Sequence, residues 1–296
     1  MPVLKILSKP YRWAVRKQIR RFNRPLHGHL AIGTSPRVGY CYIRKNACSV
    51  FTRMILDQSP GPRPEGENAL RFISRHHRLD YRDLASCAHV IFVIRDPFER
   101  VVSGFVQQVL NRALGPHPEL EDSVRALTGR TRAELSFADF VESYLGSGDF
   151  ARVNVHFTPQ VAHLAPIRYT AVLHDRTLAA DAAHVFGPDV AERYFRKPMN
   201  AMGQIARHRD PDAWKTPAGE LRRRLEATGS LPDRADLLTP PLMARLSEIY
   251  AADLTLYDRY RRAREADPDR PPALDMTGHD FTAHYALNRS SRGARR

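Results

Sequence analysis

The chain is 296 residues long, 43% hydrophobic and 26% charged, with a formal net charge of +14. That length suits one large α/β domain or two small ones. The apolar content excludes a disordered polyelectrolyte, and no run of about 18 apolar residues marks a membrane-spanning helix. The charge predicts an anionic partner: nucleotide, nucleic acid, acidic glycan or membrane surface.

Residues 1–29 set cations such as Lys5, Arg12, Arg16, Arg20 and Arg24 among Leu4, Ile6, Trp13, Ile19 and Phe22. This basic extension reads either as an amphipathic helix on an anionic membrane or as one that packs on the following domain. Val38–Arg44 reads as the first strand, apolar on both faces as a central parallel strand would be. Ala47–Gln58 follows as a helix with Val50, Phe51, Met54 and Ile55 on one stripe. Proline and glycine make Ser59–Asn68 a loop, and Arg71–Leu84, with His76 and His77, is short helix or irregular.

His89–Ile94 is the second strand. Asp96, Pro97 and Glu99 then match a capping box with proline in the first turn, opening a helix to about Leu110. Asn111–Arg132 is polar and reads as a mobile excursion, and Ser136–Tyr144 as a helix. Asn154–Gln160 is a loop, Tyr169–Leu173 a third strand and Thr177–Phe186 a helix. Residues 187–240 show little periodicity, Leu242–Arg261 is one helix, and residues 266–296 form a basic, poorly ordered tail. Strands alternating with helices predict a parallel sheet wrapped by helices across residues 30–265.

Two stretches carry the chemistry. Tyr40–Ser49, Y-C-Y-I-R-K-N-A-C-S, ends a strand in Arg44 and Lys45 and opens a helix at Asn46, Ala47, Cys48, Ser49 and Val50. A mobile cation, helix-terminal N–H groups and a hydroxyl together suit an anionic phosphate or sulfate. Val90–Ser103 repeats the design with Arg95 at a strand end and Ser103 about two turns into the next helix. Two such units imply a ligand with two separated anionic ends. Arg100 reads as a helix-surface or ion-pair residue. Cys41, Cys48 and Cys87 match neither a disulfide framework nor a zinc spacing, and no metal-ligand cluster is seen.

The blocks R-K-N-A-C-S at Arg44–Ser49 and R-D-P-F-E-R-V-V-S at Arg95–Ser103 resemble the nucleotide-binding motifs of sulfotransferases. These enzymes use 3′-phosphoadenosine 5′-phosphosulfate (PAPS). Arg44 stands where the family usually has proline. N-V-H-F-T-P-Q at Asn154–Gln160 and I-Y-A-A-D-L-T-L-Y at Ile249–Tyr257 are similar to segments of the Golgi-type carbohydrate sulfotransferases of family 2. The resemblance implies an α/β, P-loop-like three-layer sandwich with a central four- or five-stranded parallel sheet. It implies that Lys45 offsets charge at the transferred sulfuryl group and that Ser49 and the loop amides hold the 5′-phosphate. Arg95 and Ser103 hold the 3′-phosphate, adenosine 3′,5′-bisphosphate is the product, and no metal is required.

An acceptor hydroxyl needs a general base. His77 is the first candidate, with His76 beside it in R-H-H-R-L-D-Y. His156, a carboxylate such as Asp80, or an acceptor-contacting or structural role for His156 and Gln160 stay open. Arg196–Asn200 is similar to the family's late basic segment near the nucleotide. The expected activity is sulfuryl transfer to a hydroxylated acceptor, carbohydrate first and lipid, small metabolite or tyrosine as alternatives. A basic nucleic-acid-binding protein is the rival of another class. With no anchor in the sequence, the expected setting is bacterial and cytoplasmic, with peripheral membrane contact through residues 1–29.

Overall fold

A computed structural model of the chain describes residues 28–33, 36–115, 117–196, 205–279 and 281. The basic extension therefore lies outside the described residues except for Gly28 and His29, and so does most of the tail. In chain order the elements are β1 (His29–Ile32), β2 (Val38–Cys41), α1 (Cys48–Asp57), α2 (Ala69–His76), β3 (Arg78–Leu79) and β4 (His89–Ile94). Next come α3 (Pro97–Gly104), α4 (Pro118–Thr128), β5 (Arg168–Tyr169), β6 (Ala171–His174), α5 (Leu178–Phe186) and α6 (Pro188–Phe195). The last are β7 (Ala206–His208), α7 (Ala218–Thr228), β8 (Ser230–Pro232), α8 (Pro240–Ile249), α9 (Ala251–Ala266) and β9 (Leu274–Asp275).

Five strands build the central sheet in the order β3-β1-β2-β4-β6. β2, β4 and β6 pair in parallel, as expected. β1 corrects the all-parallel expectation: it runs antiparallel to both β2 and β3. Only residues 33–37 join β1 to β2. A parallel crossover needs a dozen or more residues, so a hairpin is the available connection. Gly33 starts that turn at φ 72°, a value glycine adopts without a Cβ clash.

Along β4 successive side chains alternate between two cores. Ile91 and Val93 pack with Tyr40, Phe51, Ile55 and Phe195, under α1 and α6. Val90, Phe92 and Ile94 pack with Tyr169, Leu256 and Tyr260, under α9. Tyr40 stacks on Phe51 with ring centroids 4.2 Å apart. Both faces of the sheet are thus covered, which is why these strands read as unbroken apolar runs. A third core lies among helices, where Phe105, Phe137, Phe140, Tyr144 and Phe157 meet. A Cβ on Gly104 would sit 2.6 Å from the Phe157 ring, so the close approach of α3 to that loop needs glycine.

Several segments carry more order than their composition suggests. The expected excursion at 111–132 contains α4, with Pro118 in its first turn and the His117 ring accepting from Leu120 N. Leu120 and Val124, one turn apart, are fully buried. Residues 187–240 hold α6 and α7. The single helix expected at 242–261 breaks at Tyr250, whose hydroxyl donates to Phe157 O at 2.6 Å. Past residue 265, β9 pairs with β5 and buries Leu274 and Met276. At Asp96 the capping box forms by half: its carboxylate accepts from Glu99 N at 3.0 Å, while the Glu99 carboxylate pairs with Arg176.

Leu120→Ala tests the packing of α4. Truncating a fully buried leucine should lower unfolding free energy by about 2–5 kcal/mol in a denaturant titration. A mobile excursion would give a change near zero.

Candidate active site at the strand ends

β2 and β4 are parallel neighbours, so the turns that follow them open on the same edge of the sheet. The first turn holds two non-glycine residues in left-handed conformation, Lys45 at φ 69° and Ala47 at φ 52°. Each costs about 1–2 kcal/mol. Left-handed residues flanking an ordinary one turn successive N–H groups toward one side, the geometry of an anion nest. No side chain caps the N-terminus of α1, leaving the Cys48 and Ser49 N–H groups for a ligand, while Val50 N donates to Ala47 O at 3.2 Å.

These groups line a cavity of about 590 Å³. Arg44, Lys45, Ala47, Cys48, Ser49 and Val50 come from the first block, Arg95 and Ser103 from the second. Gln107, Arg112, His156, Asp175 and Arg176 complete the polar wall, and Leu178, Tyr194 and Phe195 the apolar one. The Lys45 ammonium donates to Gln107 Oε1. Burial, with Arg95 nearby, lowers it from the ordinary 10.5 to about 8. Arg95 donates from NH1 to Lys45 O at 3.2 Å, and its Nε lies 3.0 Å from Asp175 Oδ2. Arg44 Nε is buried and has no hydrogen-bond partner. A left-handed nest, an uncapped helix and an orphaned guanidinium N–H fit a doubly anionic ligand.

A polar frame holds the two blocks in register. The Gln160 carboxamide donates to Arg95 O at 3.0 Å and accepts from Arg95 N at 3.1 Å. Its oxygen also accepts from Asn46 Nδ2 at 2.5 Å, and Asn46 reaches Val93 O at 2.7 Å. The Asp253 carboxylate accepts from Gln160 N at 2.7 Å and Val161 N at 3.0 Å. Arg100, only 1% exposed, donates to Arg44 O and Thr158 O at 3.2 and 2.9 Å. It is therefore no helix-surface residue.

A sequence profile described as "Sulfotransferase family" matches residues 29–261. The chain belongs to the sulfotransferase family. Among curated proteins it is similar to Carbohydrate sulfotransferase 10 of Mus musculus, 28% identical over 134 residues, 40% of this chain and 37% of that protein. The same protein of Gallus gallus is 34% identical over 109 residues, 32% of this chain and 30% of the relative. The chain thus spans about a third of the length of these relatives. They are vertebrate proteins and give no support to the expected bacterial origin. No solved structure matches the chain.

In this member of the family, Lys45, Ser49, Arg95, Ser103 and His156 line one cavity, and Asn46 is buried beside it. His76 and His77, expected as base candidates, do not join them. They line a separate hollow with Ala31, Arg37 and Cys87, by the N-terminal ends of the parallel strands. The reason is local: His77 follows α2, its carbonyl accepts from Ala31 N at 2.7 Å, and its ring bonds Ser59 Oγ at 2.7 Å. β3 then runs from His77 toward the ligand edge, so the histidine sits at the far end of the sheet from Lys45. Gln160 serves the frame rather than lining the cavity. Of the late basic segment, Arg196 lines the cavity and residues 197–200 lie outside the described residues.

Sequence reading missed Gln107, Arg112 and Asp175. Gln107 is one helical turn beyond Ser103, and Asp175 directly follows the third strand, so both were within reach of spacing. Among the described residues no helix is long and apolar enough to cross a membrane, and no group of three or more His, Cys, Asp or Glu could hold a metal.

The lowered pKa of Lys45 predicts a pH-dependent response to anions. Its folded-state pKa lies below the unfolded one, so without ligand the unfolded chain holds the extra proton between about pH 8 and 10.5, and stability gains from Lys45 as pH rises there. Stabilisation by inorganic sulfate should run the other way, shrinking above about pH 8 as the ammonium is lost. Melting curves at pH 7 and 9.5 should show this, and Lys45→Met should remove the difference.

Proposed function

We propose that the chain transfers a sulfuryl group from PAPS to a hydroxyl on a carbohydrate. The observation that carries this reading is the shared cavity, which Lys45, the uncapped α1 terminus, Arg95 and Ser103 line together. In this reading β2, the Lys45 turn and α1 form a P-loop-like cradle for the 5′-phosphosulfate, and Arg95 and Ser103 hold the 3′-phosphate. The donor supplies the sulfuryl group and leaves as adenosine 3′,5′-bisphosphate. Family membership and the carbohydrate-acting names of the relatives support this choice over lipid, metabolite or tyrosine acceptors. The nucleic-acid alternative is weakened because Arg209, Arg222 and Arg224 pair with Asp236, Glu226 and Asp210 instead of forming an open basic face. Peripheral membrane contact through residues 1–29 and a cytoplasmic location rest on sequence alone.

Sulfuryl transfer needs positioning and charge stabilisation more than covalent chemistry from the protein. Lys45, poised near pH 8, donates to the bridging oxygen as negative charge grows there. His156 is the general base. Asn154 Oδ1 lies 2.6 Å from its Nδ1, which fixes the proton there and leaves Nε2 as the acceptor, now facing Arg44 NH1 at 3.1 Å. Burial, then Arg44 and Lys45, lowers its pKa from 6.5 to about 2, so it is neutral when the acceptor arrives. An anion bound between those cations reverses the local field and draws Arg44 to itself. Both changes strengthen Nε2 as a base.

Adenosine 3′,5′-bisphosphate should raise the melting temperature well beyond equimolar ATP, and Arg95→Ala should remove that gain. An equal response to both nucleotides, or to neither, sinks the assignment.

His156→Ala should cut turnover by roughly 10²–10⁴-fold while bisphosphate affinity holds. His77→Ala should leave turnover nearly unchanged. The opposite ranking in a steady-state assay would return the base to the 76–77 pair.

A further inference from the structure

Asp175 stands against the charge of its surroundings. The cavity wall carries Arg44, Lys45, Arg95, Arg112 and Arg176, and a carboxylate among them opposes an anionic ligand. The sheet register accounts for its place. Ile94 pairs with His174, so Arg95 and Asp175 leave adjacent parallel strands at the same level, and Asp175 N donates to Ile94 O at 3.3 Å. Oδ2 takes the ion pair with Arg95 Nε at 3.0 Å.

The second oxygen, Oδ1, is buried and has no hydrogen-bond donor. His174 Nδ1 lies 3.7 Å away but does not supply one. That nitrogen accepts from Arg176 N at 3.2 Å, and the other ring nitrogen, Nε2, bonds the Tyr257 hydroxyl at 3.1 Å. The imidazole is thus a neutral tautomer whose proton points away from Asp175. The Asp175 side chain is 16% exposed and lines the cavity. A carboxylate that lines a ligand cavity with acceptor capacity unused calls for a donor on the ligand.

We infer that Asp175 accepts a hydrogen bond from the ribose 2′-hydroxyl of the nucleotide and selects ribonucleotide over 2′-deoxyribonucleotide. This rests on the reading that Arg95 holds the 3′-phosphate. Arg95 forms an ion pair with Asp175 and donates from NH1 to Lys45 O, so a phosphate on its guanidinium sits beside Asp175. In adenosine 3′,5′-bisphosphate the 2′-hydroxyl is on the carbon next to that phosphate. A hydroxyl donates to the carboxylate, whereas a second phosphate there is repelled. A charge-assisted hydrogen bond makes Asp175 a specificity-determining residue and not only a brace for Arg95.

The test compares adenosine 3′,5′-bisphosphate with its 2′-deoxy analogue by calorimetric titration of the full chain. The wild type should bind the ribonucleotide roughly tenfold or more tightly. Asp175→Ala should bring the ratio close to one, whatever it does to affinity through Arg95. If Asp175→Ala does not fold, Asp175→Asn should still narrow the ratio, since a neutral acceptor bonds a hydroxyl more weakly than a carboxylate. Equal binding of the two ligands by the wild type overturns the inference and leaves the sulfuryl-transfer reading standing. A ratio unchanged in the folded variant also overturns it. Failure of the wild type to bind either ligand removes both readings together.

Discussion

One carboxamide joins the parts on which the cavity depends. Gln160 bonds both backbone groups of Arg95 and receives the side chain of Asn46, so the turns after β2 and β4 are tied across the sheet edge. Its own backbone is pinned by Asp253 from α9. The cations of the site repel one another, and Arg95, partly buried, and Arg100, fully buried, lie close to Lys45. Without a fixed frame that repulsion would spread the turns apart. Asp253 and the carbonyls of Arg44 and Thr158 stabilise Arg100 in a place where an unpaired guanidinium would cost several kcal/mol.

How much of this was legible depended on the range of the forces involved. β4 was readable to the residue because a strand buried on both faces must be continuously apolar. Lys45, Ser49, Arg95 and Ser103 were readable because a strand end followed by a helix start is a local pattern. β1 was not, since four residues with histidine and alanine among them carry little periodicity, and only the hairpin to β2 gives them a role. α4 was hidden by its flanking glycine and prolines, although Leu120 and Val124 do mark one face.

Long-range placement was the harder part. His76 and His77 lie ahead of β4 in sequence and beside basic residues, the local context that makes them base candidates. Only the direction of β3 shows that they belong to the opposite edge. The outlying segments around Gln160 and Asp253 were visible as separate motifs, about ninety residues apart. Their meeting through two backbone N–H groups is a tertiary event that no local spacing announces. Arg100 was misjudged for the same reason: its acceptors are carbonyls from two distant loops.

The pairing of β9 with β5 bears on how the protein is handled. The family profile ends at residue 261, an inviting place to cut an expression clone. Leu274 and Met276 belong to the same core as Tyr169, Tyr260 and Phe92, so shortening the chain there would strip a lid from the sheet's α9 face. Such a fragment would keep every residue of the cavity and still present fresh apolar surface to its neighbours. Sticky, low-yield protein from that clone would report on the missing strand and not on the chemistry.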